Sequence, residues 1–225
     1  MGSIYHFMMD LPLFKGLGEN QLSDFLEHTK INFANYSRDE AIYLSGEYIN
    51  EICFLFSGKI RLEHYFYDSQ LKILERRGEK ALLGADGLFG INNTYINSIY
   101  AESDVSMMTI DKQQFLKVLE LNKIFLLNFL NYLSAKSQHL FDFYARGLKD
   151  VKNNRLLELI NCIATPFTES IEIIATDSFW AKLCNCPEEE IRIWKAKLTK
   201  SGEAKCTSES IHINAPFYFL KNRSN

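Results

Sequence analysis

Thr176-Asp-Ser-Phe-Trp180-Ala-Lys-Leu-Cys184-Asn-Cys186-Pro187-Glu-Glu-Glu190-Ile-Arg-Ile-Trp194-Lys-Ala-Lys-Leu198-Thr-Lys200-Ser-Gly202 is the stretch on which the fold turns. Thr176 is a good N-cap, because its short hydroxyl side chain accepts from an unpaired amide of the first turn. A helix then carries Trp180 and Leu183 inward, and Asn185 takes the positive φ of a tight turn. Pro187 suits the start of a second helix, and Glu188, Glu189 and Glu190 suit the positive end of its macrodipole. Ile191, Trp194 and Leu198 form the buried face of that helix. Arg192, Lys195, Lys197 and Lys200 are expected largely elsewhere, and Gly202 ends it. Ile171–Ile174 reads as a strand before the pair of helices, and Lys205–Thr207 with Ile211–Ile213 reads as a hairpin after them. Two short helices, a basic second helix and a hairpin are the pattern of a winged helix-turn-helix.

Working outward, residues 152–225 restart a helical period at Leu156, Leu157, Leu159, Ile160 and Ile163, after a permissive Arg146-Gly147-Leu148. Before that hinge, Phe125, Phe129, Tyr132, Leu133, Leu140, Phe141 and Tyr144 spread an apolar surface along one long helix. A helix so apolar needs a partner, and a symmetric dimer seam supplies one. Asp111 is placed to cap a shorter helix ending near Leu121. From about 31 to 110 the pattern is of short strands, among them Glu51–Ser57, Lys59–Phe66 and Val105–Ile110, punctuated by glycines. Such spacing without long helices predicts an antiparallel barrel or roll. Residues 11–30 are helical in pattern through Leu17, Leu22, Phe25 and Leu26.

The fold class is therefore α+β: an N-terminal double-stranded β-roll, a long dimerisation helix and a C-terminal winged helix-turn-helix. The expected divisions are 1–121, 122–146 and 147–225.

Composition narrows the chemistry. The net charge is −3, yet residues 152–225 hold ten Lys/Arg against nine Asp/Glu, so DNA binding has to come from local placement. No apolar run approaches the roughly 20 residues needed to span a bilayer, and no cationic-then-apolar leader opens the chain, so a cytoplasmic protein with no membrane partner is expected. Five scattered cysteines do not make a disulfide framework, and Cys184 with Cys186 lacks the second ligand pair of a zinc site. His64 is the only histidine between 31 and 110, too few ligands for a metal-dependent enzyme in the roll. No enzyme, metal or resident cofactor is expected.

The expected DNA-facing residues are Thr176, Glu188, Glu189, Arg192, Lys195, Lys197 and Lys200. Glu188 and Glu189 stand where base-reading side chains project. Their carboxylates either accept from cytosine N4 or only cap the helix. The alternative function is a small-molecule or protein-binding module whose helix-turn-helix no longer binds DNA.

In order of parts the whole chain resembles the cyclic-AMP receptor protein (CRP/FNR) superfamily of bacterial regulators. The resemblance is carried by Leu11-Pro-Leu-Phe-Lys-Gly-Leu17, Gly46-Glu47, Phe54-Leu-Phe-Ser-Gly-Lys-Ile60, Gly84-Ala-Asp-Gly-Leu-Phe89, Ala101 and Asn154-Arg-Leu156. It implies a transcription regulator that binds double-stranded DNA as a homodimer and meets RNA polymerase. It also implies a phosphate-binding cassette over 84–101, with a Glu for ribose and an Arg-Ser pair for phosphate. Here those positions hold Ala85, Tyr95 and Ile96, and the adenine-side positions hold Leu140 and Phe141. A buried cyclic phosphate needs a cation or a full set of donors, so cyclic AMP and cyclic GMP are not the expected effectors. Gly84, Ala85, Leu88, Phe89, Tyr95, Ile96, Leu140 and Phe141 are the expected pocket for some other small molecule, if one binds. Oxygen-sensing and haem-binding versions fare no better, with no cysteine before Cys53 and only His64 and His139 as axial candidates.

Overall fold

Alternation of apolar residues and turn-forming glycines produces eleven strands among the described residues, with helices before and between them. The computed structural model describes residues 2–66, 68, 70–146 and 151–216, without the side chains at 2, 3, 136, 139–146 and 151. The chain forms two compact units, and they do not follow the order of the sequence. One comprises Met1–Ile60, Gly78–Ile96 and Tyr100–Gln138, and the other Arg61–Arg77, Asn97–Ile99 and His139–Asn225.

The first unit begins with α1 (Gly2–Met9), a 3-10 turn (Pro12–Phe14) and α2 (Glu19–His28). β1 (Asn32–Tyr36), β3 (Glu51–Ser57), β6 (Leu82–Leu83) and β8 (Val105–Asp111) make an antiparallel sheet in the order β1-β8-β3-β6. Pairing runs from Asn32↔Thr109 to Tyr36↔Val105, and β3 is bulged between Leu55 and Ser57. β2 (Ala41–Tyr43) is a short strand of the same unit. The expected cap on α3 (Lys112–Leu121) is present: Asp111 Oδ1 accepts from the amides of Gln113 and Gln114. α4 (Lys123–Arg146) opens with Asn122 Oδ1 accepting from Phe125 N, and Asn128 Nδ2 donates to the carbonyls of Leu13 and Lys15. The core here is aromatic. Phe14 meets Phe25, Phe54 and Phe125 edge-on or tilted at 5.0–5.8 Å, and Phe115 meets Phe125 and Phe129 at 5.6 and 5.2 Å. Edge-to-face rings at these separations add to their burial.

The second unit joins a hairpin from the middle of the chain to its C-terminal third. β4 (Ile60–Phe66) and β5 (Leu71–Arg77) form that hairpin. α5 (Val151–Ile163), β9 (Thr168–Ile174), α6 (Asp177–Cys184), α7 (Glu188–Lys200), β10 (Lys205–Cys206) and β11 (Ser210–Asn214) complete the unit, together with part of β7 (Ser98–Ala101). The sheet runs β10-β11-β9-β5-β4, so β9 is flanked by β11 on one side and by β5 on the other. Its pairing with β5 runs antiparallel from Lys72↔Ile174 to Arg76↔Ser170. Leu71 and Ile73 are fully buried in one cluster with Leu156, Ile160, Ile171, Ile173, Trp180, Ile191, Trp194, Leu198, Ile211 and Ile213. Two residues of the hairpin are thus core residues of the helical C-terminal part.

Beside this pairing lies a buried charge. Glu75, fully buried, accepts from Arg77 Nε at 2.7 Å and Nη2 at 2.9 Å, and from Thr168 Oγ1 at 2.5 Å; His64 Nε2 lies 3.4 Å away. Burial alone raises a carboxyl's pKa, but the charge of Arg77 and the contacts from His64 and Arg77 outweigh it and hold Glu75 at about 2. Because the folded value lies below the ordinary carboxylate value of 4.5, the stabilisation is complete above that pH and is lost as pH falls toward 2. The difference is worth about 3 kcal/mol. Acid titration of unfolding is expected to show this loss in the parent chain. In Glu75→Gln the loss below pH 4.5 is expected to be smaller, from a lower neutral-pH stability. Parallel acid profiles for the two proteins would remove Glu75 from the account.

Candidate functional site

The expected DNA-facing residues lie in the C-terminal unit, and the described members of the expected pocket lie in the first. In the C-terminal unit, Thr176 caps α6 through Phe179 N → Thr176 Oγ1 at 3.2 Å. Asn185, with φ of 51°, closes the helix in the left-handed region. Asn is among the few residues besides Gly that visit this region routinely, and here its backbone N–H donates to the carbonyls of Ala181 and Lys182. Pro187 is extended at the N-cap of α7 rather than inside it, one residue earlier than its helix-starting habit predicts.

α7 sorts its side chains by spacing. Ile191, Trp194, Lys195 and Leu198 are buried, while Glu188, Glu189, Arg192, Lys197 and Lys200 are exposed, as is Thr176. The acidic first turn partly neutralises the guanidinium of Arg192. Its Nη1 and Nη2 lie 3.3 Å from Glu189 and Glu188, and its Nε lies 3.7 Å from Asp177. Lys195 corrects the sequence reading. Expected among the outward cations, it is only 4% exposed. Its Nζ donates to Asp177 Oδ1 at 2.7 Å and to the carbonyls of Thr207 and Ser208 at 2.9 and 3.3 Å. It belongs to the buried stripe at i, i+3, i+4 and i+7, and its charge fastens the β10–β11 turn to the helix. Asp177, the partner that makes this burial tolerable, was not singled out in the sequence.

In the first unit, the segment beginning at Gly84 is tightly made. Gly84 has φ of +81°, and a Cβ there would stand 2.6 Å from the Glu51 carbonyl, so only glycine fits. Of the expected pocket residues, Ala85 and Leu88 are buried core and Ile96 is 83% exposed. Phe89 packs against Phe115 and Phe129, with Lys112 Nζ 5.3 Å from its ring centre. Leu140, Phe141 and Tyr144 lie outside the described side chains.

Tyr95 is 5% exposed and stacked on Tyr43 at 4.4 Å with an interplanar angle of 19°. Tyr43 Oη donates to Glu51 Oε1 at 2.6 Å and sits 3.1 Å from Cys53 Sγ. Burial raises both phenols well above their usual range and pushes the Cys53 thiol up to about 12. That thiol stays protonated, packed and unreactive. Tyr43, Glu51 and Cys53 were missed in the sequence, because no local spacing links them to Tyr95.

The described members of the expected pocket thus differ in setting. Two are core, one is on the surface, and Tyr95 is filled against by Tyr43. A separate surface hollow of about 350 Å³ is lined by Asn35, Tyr36, Ser37, Ser57, Asp104, Val105 and Ser106, apart from all eight. Among the described residues there is no group of three or more metal-ligating side chains, and no helix is long and apolar enough to cross a membrane.

The family model for the cyclic nucleotide-binding domain matches residues 33–122. No curated protein sequence matches the chain. The catabolite activator protein of Thermus thermophilus is similar in structure, with a TM-score of 0.51 at 17% identity, over 93% of this chain and 97% of that one. A regulatory subunit of a cAMP-independent protein kinase A from Trypanosoma brucei has a TM-score of 0.50 at 14% identity, over 61% of this chain and 47% of that one. DNR from Pseudomonas aeruginosa has a TM-score of 0.48 at 20% identity, over 93% of each chain. The cyclic nucleotide-binding domain is thus what residues 33–122 are similar to, and in fold the chain is similar to a catabolite activator protein.

Proposed function

We propose that the chain is a transcription regulator that binds double-stranded DNA as a homodimer, with its roll responding to an effector other than cyclic AMP. The observation that carries this reading is the succession of α6, the Asn185 turn, the outward face of α7 and the β10–β11 hairpin. Used as a winged helix-turn-helix, α7 enters the major groove by its N-terminal turns. Lys197 and Lys200 then contact phosphate, Thr176 stands at the end of α6 near the backbone, and Arg192, Glu188 and Glu189 face the bases. The divisions 1–121, 122–146 and 147–225 remain our proposal for the roll, the dimer helix and the DNA-binding part. Contact with RNA polymerase, and a cytoplasmic location, follow from the same reading.

Dimerisation is supported by Leu127 and Leu130, 57% and 47% exposed one turn apart on α4, with Leu121 85% exposed just before it. A second copy would cover them. Cyclic nucleotide is disfavoured by the cassette itself. Residues 84–101 contain no Lys or Arg, and the position expected to hold the phosphate cation is a buried tyrosine stacked on another. Those residues do not fit a cyclic phosphate.

Full-length protein is expected to retard random-sequence duplex DNA at low salt, with affinity falling as salt rises, because phosphate contacts release counterions. Absence of any complex at low salt would overturn the DNA reading and leave the protein-binding module as the alternative. That alternative draws on the carboxylates around Arg192.

A further inference from the structure

We infer that Ile193 reads the methyl group of thymine and thereby sets part of the base sequence this chain prefers; the inference rests on α7 being the recognition helix. Ile193 is 50% exposed, and among the described residues 151–216 it is the one large apolar side chain left on the surface. Every other apolar side chain of α7 larger than alanine is buried. Ile193 is also not at an edge. Glu189 precedes it by four residues and the exposed Ala196 and Lys197 follow by three and four, so it stands in an outward stripe through the middle of the helix, whose lysines, Lys197 and Lys200, are the ones assigned above to phosphate.

The chemistry of that stripe is unusual for a DNA reader. Bidentate recognition of guanine needs an arginine or lysine aimed at O6 and N7. Lys195 is turned inward to Asp177 and two carbonyls of the hairpin turn. Arg192 would have to leave Glu188, Glu189 and Asp177. Ile193 and Ala196 instead offer hydrocarbon, and the thymine C5-methyl is the apolar group displayed on the major-groove edge of the base pairs. Hydrocarbon meeting methyl removes both from water, which is the gain available here. The preferred site therefore carries at least one thymine per half-site under the centre of α7.

The test uses the full-length chain. A tight-binding duplex is selected from a random-sequence pool, and each of its thymines is replaced singly by deoxyuridine, which lacks only the methyl group. At one or two thymines per half-site, affinity is expected to fall roughly fourfold, the value of one buried methyl. Ile193→Ala should bind the parent duplex more weakly by a similar factor and be indifferent to uridine at those positions. Because the side chain is half exposed, the variant should keep its fold, checked by an unchanged salt slope on unrelated DNA. If a duplex is selected but every uridine is neutral, or if Ile193→Ala keeps the full thymine preference, the inference is overturned while the DNA reading stands. If no duplex is enriched at all, both fall together.

Discussion

A fragment carrying only residues 147–225 is expected to lose its cooperative unfolding transition, although it contains every helix of the proposed DNA-binding part. The reason is the β4–β5 hairpin. Leu71 and Ile73 are fully buried in the cluster that also holds Trp180 and Trp194, and β5 covers the edge of β9 along five consecutive residue pairs from Lys72↔Ile174 to Arg76↔Ser170. Without the hairpin, β9 presents an open edge and the core loses two aliphatic side chains. Truncating one such side chain typically costs 2–5 kcal/mol, and the whole stability of a domain is about 5–15 kcal/mol.

A point substitution isolates the effect. Ile73→Ala in the full chain is expected to lower stability by about 3 kcal/mol. The chain has two tryptophans, and both stand in this cluster, so tryptophan fluorescence reports on this unit. Urea unfolding followed by that signal should show an earlier midpoint in Ile73→Ala. If its transition coincides with the parent's, and the 147–225 fragment unfolds cooperatively like the full chain, the pairing of β5 with β9 is wrong.

This pairing also marks the boundary of what the sequence discloses. Strands β3 and β4 were legible as apolar runs between glycines and β8 as an apolar run before a helical period, and the caps Asp111 and Thr176 were legible as short polar residues before helical periods. These are local signals, within reach of one or two turns. The partner of β9 is not local. Glu75 and Thr168 are 93 residues apart, and nothing in Thr168–Ile174 says which strand will lie along its second edge. The amphipathic period of 171–214 is satisfied equally well with or without the hairpin, so it carries no sign of the strand beside it.

The surroundings of Tyr95 were hidden for a related reason. Alignment by family identified Tyr95 as the residue replacing a cation. That its ring stacks on Tyr43, from β2, is decided by packing between strands distant in sequence. Lys195 is different, because its burial was legible. Ile191, Trp194, Lys195 and Leu198 follow the i, i+3, i+4, i+7 spacing of a buried face, and charge alone put Lys195 outside it.

Lys195→Met is accordingly expected to destabilise the chain by about 3 kcal/mol, within the range for removing one partner of a buried pair. The ammonium has three donors, and all three are used, by Asp177 at 2.7 Å and by the carbonyls of Thr207 and Ser208. Methionine keeps the length and most of the apolar stem, so the loss measures the charge rather than a cavity. What remains after substitution is a carboxylate whose side chain is 10% exposed, with Arg192 Nε at 3.7 Å as its surviving cationic contact. Two hairpin carbonyls also lose their donor. Neutralising the orphan should recover much of the cost, so Lys195→Met with Asp177→Asn is expected to be more stable than Lys195→Met alone. The double-mutant cycle then reports a coupling of 0.5–3 kcal/mol, as is typical for residues in one network. A surface lysine that merely touched phosphate would behave in the opposite way: unchanged stability, no coupling to Asp177, and a salt slope of DNA binding reduced by about one. Thermal unfolding of the four proteins of the cycle decides between these outcomes without any DNA present, which separates the architecture of the hairpin from whatever the hairpin touches.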